Sequence, residues 1–310
     1  MIDLLDSTVD ALPTAAAPTA WRALATNWSV RLGGSVLAFF ALVSLLAPVL
    51  GVIDPTRLDS TNINRRPGVS SAVTLANGES VQRNFWMGTD GLGRDIYSRV
   101  LYGGRVSLVI GVSVATLSLL FGLIIGLASG YVRWIDVLVM RMMDGLMAIP
   151  GILLALFLVA LWRASLGTVI LAITLTEIPR VGRLVRSLTL SIREEPYVEA
   201  AVSVGTSTVK LLYRHILPNT IAPLIVQGTY ICAVAMLAES ILSFLGVGLP
   251  TDVPTWGNIM AEGRLSFNQY PHNVLFPGVF LALTVLSVNM LGDGLRDTLD
   301  PRFGKRGERP

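Results

Sequence analysis

Long charge-free runs punctuate this chain. Gly33 to Ile53 lies between Arg31 and Asp54, Val106 to Val132 between Arg105 and Arg133, and Gly145 to Trp162 between Asp144 and Arg163. Ile216 to Ala238 is bounded by His215 and Glu239, and Asn273 to Gly292 stops at Asp293. A membrane-spanning helix needs about 20 mostly apolar residues, so each run qualifies. A weaker run, Ala164 to Thr176, is interrupted by Glu177, Pro179 and Arg180. It reaches spanning length only if its helix continues through Leu190. The pattern predicts an all-α, polytopic membrane protein with six transmembrane helices.

Composition agrees with this reading. Of 310 residues, 52% are hydrophobic and 15% charged, against about 25% charged in soluble domains. So few charges cannot coat a soluble surface of this size. The net charge of +3 is too small to suggest nucleic acid, and the single cysteine, Cys232, excludes an intrachain disulfide.

Lys and Arg set the orientation. With both termini inside, fifteen of the 24 fall on the cytoplasmic side and nine outside, seven of those nine in the loop from Asp54 to Arg105. Both termini are therefore expected in the cytoplasm. The first ten residues carry Asp3, Asp6 and Asp10 where a cleavable signal would be basic. The expected organisation is a flexible tail over 1–27, a first span over 28–54, and an extracytoplasmic loop with an amphipathic segment over 55–104. A transmembrane core follows over 105–300, with an inner loop at 193–218, and a cytoplasmic tail closes the chain at 301–310.

Candidate chemistry is sparse. The only Gly-Lys pair, Gly304-Lys305, precedes Arg306 rather than Ser or Thr, so no nucleotide-binding loop is present. The stretch from Gly88 through Gly91 and Gly93 to Asp95 has the wrong spacing for a phosphate loop, and no strand is expected before it. It reads as a turn with Asp95 capping the next helix. His215 and His272 fall on opposite sides of the membrane, so neither a metal site nor an enzyme site is expected, and no cofactor.

Ionisable residues within spans are suspects for function. Arg141 and Asp144, three apart on one helix, are expected to neutralise each other. Glu177 falls near mid-membrane and either lines a pathway or packs between helices. Glu239 is expected to reach the outer face as a solvated charge. Trp256, Asn258 and Arg264 are expected to form an aromatic and polar rim at the outer mouth, within an exposed 250–272 loop, with Asn62 likewise open to solvent.

The most informative segment runs from Glu194 to Pro218. Tyr197, Ala200, Ala201 and Val204 follow helical spacing, and Gly205 suits the left-handed residue that closes a helix. Thr206 or Ser207 can cap a second helix with the stripe Val209, Leu212, Tyr213 and Ile216, which Pro218 and Asn219 would end as they open the fifth span. This pair fits either a partner's groove, which the small Ala200 and Ala201 would enter, or a lipid interface.

Glu199-Ala200-Ala201, then Gly205, then Leu217-Pro218 resembles the Glu-Ala-Ala loop of binding-protein-dependent ABC importer permeases. His215 stands where the general pattern has Ile, as in the peptide branch. Three further stretches resemble the second permease of oligopeptide and dipeptide importers: Gly88-Thr-Asp90 with Gly93-Arg-Asp95 and Ser98-Arg99; Leu242-Ser-Phe-Leu-Gly246 with Pro254-Thr-Trp-Gly257; and Gly292-Asp-Gly-Leu-Arg-Asp297 with Asp300-Pro301-Arg302. Together they span about Trp28 to Arg302. The resemblance implies a type I permease fold in a bacterial inner membrane, paired with a second homologous permease. It also implies two ABC ATPase subunits and an extracytoplasmic substrate-binding protein. Glu199, Ala200, Ala201, Gly205, His215, Leu217 and Pro218 would then couple to an ATPase, and Trp256, Asn258 and Arg264 would face the binding protein. A stand-alone secondary transporter or channel is the alternative, and Glu177 beside Pro179 is the one feature suggesting it.

Overall fold

The computed structural model describes residues 24–74 and 80–299. Most of both expected tails, and the Asp300-Pro301-Arg302 motif, lie outside these residues. The first helix, α1, spans Trp28–Leu45, with Asn27 accepting hydrogen bonds from the Ser29 and Val30 amides at its start. It ends short of the expected Ile53, because Pro48 enters a 3₁₀ turn over Ala47–Val49 and cannot donate to a continuing helix.

The outer segment contains an antiparallel hairpin, β1 (Val69–Thr74) with β2 (Ser80–Phe85), pairing Val69 with Phe85 and Val73 with Val81. The protein is otherwise helical, as expected, but this hairpin stands before Gly88, where no strand was expected. The two strands are short and interleave their valines with Ser, Gln, Arg and Asn, so no apolar run advertised them. A lone hairpin is marginal in water. This one is tied down by Asn62, whose Nδ2 donates to Ala72 O at 3.0 Å, and by the buried Phe85.

The next helix, α2 (Ile96–Tyr131), begins ten residues before the expected span, where Asp95 accepts from the Ser98 amide at 3.1 Å. Burial holds the Asp95 carboxyl above the ordinary carboxylate range, against the pull of the Ser98 bonds. Three glycines one turn apart, Gly122, Gly126 and Gly130, face Val181, Val185 and Thr189 of α5 (Leu166–Arg193). A side chain at any of them would collide, so they allow the close helix approach that membrane interfaces favour.

The expected span Gly145 to Trp162 is not one straight helix. Helix α3 (Arg133–Met147) meets α4 (Gly151–Leu161) at a bend of 88°. Pro150 lacks an amide donor and drives Ile149 away from helical angles. By contrast, α5 runs unbroken past Pro179. A short helix pair, α6 (Pro196–Ser203) and α7 (Thr208–Leu211), follows on the expected inner side. It passes through a π turn at Leu212–Ile216 directly into α8 (Leu217–Phe244). Pro218 lies in the first turn of α8 and opens that span as expected, although the short helix runs into it without a break. The chain finishes with α9 (Trp256–Gly263) and α10 (His272–Leu299).

Among the described residues four helices are long and apolar enough to cross a membrane, or five if the bent pair is one span. The sixth expected span, α5, has the length but carries Glu177 and four arginines. The main core lies between α2, α4, α5 and α8, around Ile110, Val114, Val159, Ile173 and Ile231. A second gathers Trp256 with Ile96, Val100, Met236 and Leu281.

Candidate functional site

The inner helix pair is held by a small anchor. Val198, Leu211 and Ile216 are buried together against Leu127, Tyr131 and Ile192. The Gly205 amide donates to Val202 O at 2.9 Å and the Thr206 amide to Ala201 O at 3.1 Å. With φ of +84° at Gly205, this is a Schellman closure, a conformation that favours glycine. Ser207 stands at the next N-cap, but its side chain makes no capping bond.

Beyond the anchor, apolar side chains are left in the open. Val204 is 87% exposed and Tyr213 74%, and Tyr197, Val202 and Val209 are exposed too. Glu199, Ala200 and Pro218 share this open surface, while Ala201, His215 and Leu217 are half-buried. The His215 ring packs 6.3 Å from the Tyr197 ring. Asn219 Nδ2 donates to His215 O at 2.7 Å and to the Tyr197 hydroxyl at 3.1 Å. These contacts tie α6 to the start of α8, so the pair moves with the span.

A second feature lies between α4, α5 and α8. A cavity of about 280 Å³ is lined by Ala155, Thr176, Glu177, Arg180 and Leu237, among others. Glu177 is only 6% exposed and accepts from Arg180 Nη1 at 3.0 Å. The Arg180 guanidinium also sits 5.4 Å from the Tyr230 ring centroid. A carboxylate at this depth persists because protein satisfies it.

The expected Arg141–Asp144 pair does not form. Asp144 accepts from Arg183 Nη2 at 2.7 Å, and Arg141 makes no ion pair among the described residues. Arg183 arrives from α5, which packs across α3 and offers a better-placed partner than a residue one turn away. About two turns closer to the N-terminus of α3, Asp136 is held by Arg186 in a two-point pair.

The outer end overturns several expectations. Glu239 is 0% exposed, with its Oε1 accepting from Ser243 and Thr255 hydroxyls at 2.8 Å each. The 250–263 segment folds over one side of α8 and removes Glu239 from solvent. Trp256 is also 0% exposed, and its Nε1 donates to Val100 O at 3.0 Å. Asn258 is buried because its Nδ2 serves three carbonyls, of Leu249, Pro250 and Val253. Asn62 is buried as well. Of the expected rim, Arg264 stays exposed, its guanidinium 5.2 Å from the Phe244 ring centroid.

Sequence reasoning missed a buried charge network here. Asp90 Oδ2 accepts from Arg94 Nε at 2.7 Å and from Arg99 Nη1 at 2.9 Å. Arg99 Nη1 also reaches Glu262 Oε2 at 2.9 Å, and Arg94 joins the same carboxylate. Two cations and two anions thus tie the glycine-rich turn to α9. Asp90 and Arg94, four apart, were a local signal, but Glu262 is 168 residues from Arg94.

Among the described residues no group of three His, Cys, Asp or Glu side chains could hold a metal ion. The geometry is that of a multi-pass helical membrane scaffold with an exposed short helix pair and a small cavity holding a buried ion pair. The chain belongs to the family described as binding-protein-dependent transport system inner membrane component, which matches residues 118–305, and it is a permease subunit of an ABC importer. It is 44% identical over 277 residues to the probable peptide ABC transporter permease protein y4tQ of Sinorhizobium fredii, covering 89% of this chain and 90% of that one. It is 39% identical over 285 residues to the dipeptide transport system permease protein DppC of Alkalihalophilus pseudofirmus, covering 92% and 89%. Over 238 residues it is 43% identical to the glutathione transport system permease protein GsiD of Escherichia coli, covering 74% and 75%.

Proposed function

We propose that this permease forms half of a pore for peptides or related small solutes, the other half being a second homologous permease. Two ABC ATPase subunits dock on its inner face, and an extracytoplasmic binding protein delivers the cargo. Both termini lie in the cytoplasm of a bacterial cell, the orientation favoured by the distribution of Lys and Arg. The cargo class follows the names of the relatives, which are peptide, dipeptide and glutathione permeases.

One observation carries the reading: a helix pair fixed by Val198, Leu211 and Ile216 presents Val202, Val204, Val209 and Tyr213 outward. An apolar face built on a rigid base marks an interaction site. Glu199, Ala200, Ala201, Gly205, His215, Leu217 and Pro218 form or frame the lever that passes ATPase motion to α8. The cavity beside Glu177 belongs to the solute path. Arg141 and Asp144 stand at the inner end of that path. Glu239 is sealed away from it and supports the outer end. Arg264, with the buried Trp256 and Asn258 shaping the surface behind it, meets the binding protein.

The test uses Glu199→Lys and Gly205→Val in the assembled transporter. Both variants should insert and hold the partner permease, yet lose ATPase attachment or uncouple ATP hydrolysis from uptake. Normal ATPase binding with normal uptake in both would sink the lever. Uptake that proceeds without any ATPase would favour a stand-alone transporter instead.

A further inference from the structure

Glu177 and Arg180 form a pair whose two members differ in how firmly they are held. The Glu177 carboxylate is buried and lines the cavity, with Oε2 taken by Arg180. Arg180 is partly exposed, its side chain 44% accessible, and it already rests over the Tyr230 ring. The guanidinium touches the carboxylate and the ring at once, so it can release the first and keep the second, whereas the carboxylate has no other cation within reach among the described residues. The rest of the lining is largely apolar, with Ala155, Ile173, Val234 and Leu237. An anion in such a setting strongly prefers a cation beside it.

We propose that Arg180 is a placeholder and that the cavity recognises cargo bearing a primary ammonium group, such as the free amino terminus of a short peptide. The ammonium takes the position of the guanidinium on Glu177 by exchange of one cation for another, so the cavity never holds a bare carboxylate. Arg180 falls back onto Tyr230, where the ring face retains it. An N-acylated cargo offers no cation for the exchange and leaves the pair closed. The cavity volume of about 280 Å³ suits one end of a short peptide rather than a whole large ligand. This inference rests on the reading of the cavity as part of the solute path.

The experiment compares uptake of a free-amino dipeptide and its N-acetylated analogue in proteoliposomes holding the complete transporter. The binding protein contributes the same selectivity to every permease variant, so a change in the ratio of the two uptake rates reports on the permease. Glu177→Gln should lower the preference for the free-amino cargo about tenfold, the loss of one charge-assisted hydrogen bond. Arg180→Gln should keep the preference, because the carboxylate remains. An unchanged ratio in Glu177→Gln, or a lost preference in Arg180→Gln, overturns the proposal. Should Glu177→Gln fail to assemble, Tyr230→Leu takes its place. It should raise the half-saturating concentration of the free-amino cargo alone, and no change overturns the proposal. A separate variant tests the path itself: Thr176→Cys in a Cys232→Ser background, treated with a bulky thiol reagent. Blocked uptake with an unchanged cargo ratio removes the ammonium site and keeps the path; unblocked uptake removes both.

Discussion

At the end expected outside, Arg99 is 1% exposed and shared between Asp90 and Glu262, while at the end expected inside Val204 and Tyr213 stand open. Charge is buried where a solvated loop was expected, and the apolar stripe expected on the short helix pair stands open. The two regions differ in what completes them. The outer end is finished within one chain: each carbonyl freed by the turns at Leu249, Pro250 and Val253 finds Asn258. Such donors are enlisted because an unpaired buried carbonyl costs about 1–3 kcal/mol. The end expected inside has a small anchor and an uncovered apolar stripe, the surface proposed above to take the ATPase. Under the proposed docking, burial within this one subunit separates the parts that stabilise it from those that would stabilise the complex.

The sharpest way to break that contrast is to remove one member of the outer network. Arg99→Met leaves Asp90 and Glu262 with one cation between them and should destabilise the purified permease by about 3–5 kcal/mol, the cost of an orphaned buried charge. The drop would appear as a lowered thermal midpoint in detergent, with little folded material recovered. A midpoint within a degree of wild type would show the network to be ornamental. Thr255→Val comes next. Thr255 accepts the Asn258 amide at 3.0 Å and donates to Glu239, so its loss removes a helix cap and a bond to a buried carboxyl. The expected cost is about 2 kcal/mol, read from the same melting curve.

What was legible in the sequence was local. Asp95 as a cap and Gly205 as a left-handed closure depend on neighbours a few residues away, and both stand where spacing placed them. The apolar runs located most of the spans because lipid demands length and hydrophobicity from each helix separately. Their ends were misjudged where the chain needed other partners, as at Leu45 and Ile96. The 88° bend at Pro150 shows the same limit, since an apolar run reports solvent and not direction. Trp256 reaches Val100 across 156 residues and Arg94 reaches Glu262 across 168. No window along the chain contains both ends of such a contact. Polar and aromatic types therefore read as surface, although their partners make them interior. The cavity was half legible: Glu177 stood out as an intramembrane charge, but Tyr230 did not.

The exposed ion pair between Asp144 and Arg183 gives the outer network its counterpart. Its side chains are 62% and 45% accessible, so water screens both charges. A double-mutant cycle through Asp144→Asn and Arg183→Gln should return about 0.2–1 kcal/mol. The same cycle through Asp90→Asn and Arg94→Gln should return several times more. Equal coupling energies at the two sites would mean that depth of burial does not govern these pairs.

The smallest effect on the subunit belongs to its most exposed apolar residues. Tyr213→Ser removes a ring that touches little of its own chain, so the melting temperature of the isolated permease should move by less than about 0.5 kcal/mol equivalent. Anchor residue Leu211 is two positions away and fully buried, and Leu211→Ala should cost about 2–5 kcal/mol by opening a cavity. Two neighbouring apolar residues thus separate on one assay. On a second assay they should reverse: capture of the ATPase subunits should weaken for Tyr213→Ser even though the permease is as stable as wild type. This follows because an aromatic left uncovered in the subunit gains its burial only in the complex, where such residues dominate binding energy. If Tyr213→Ser lowers the stability of the isolated subunit and leaves ATPase capture intact, the stripe packs against lipid or its own chain. The division between a finished outer end and an unfinished inner one then fails at the residue that best expresses it.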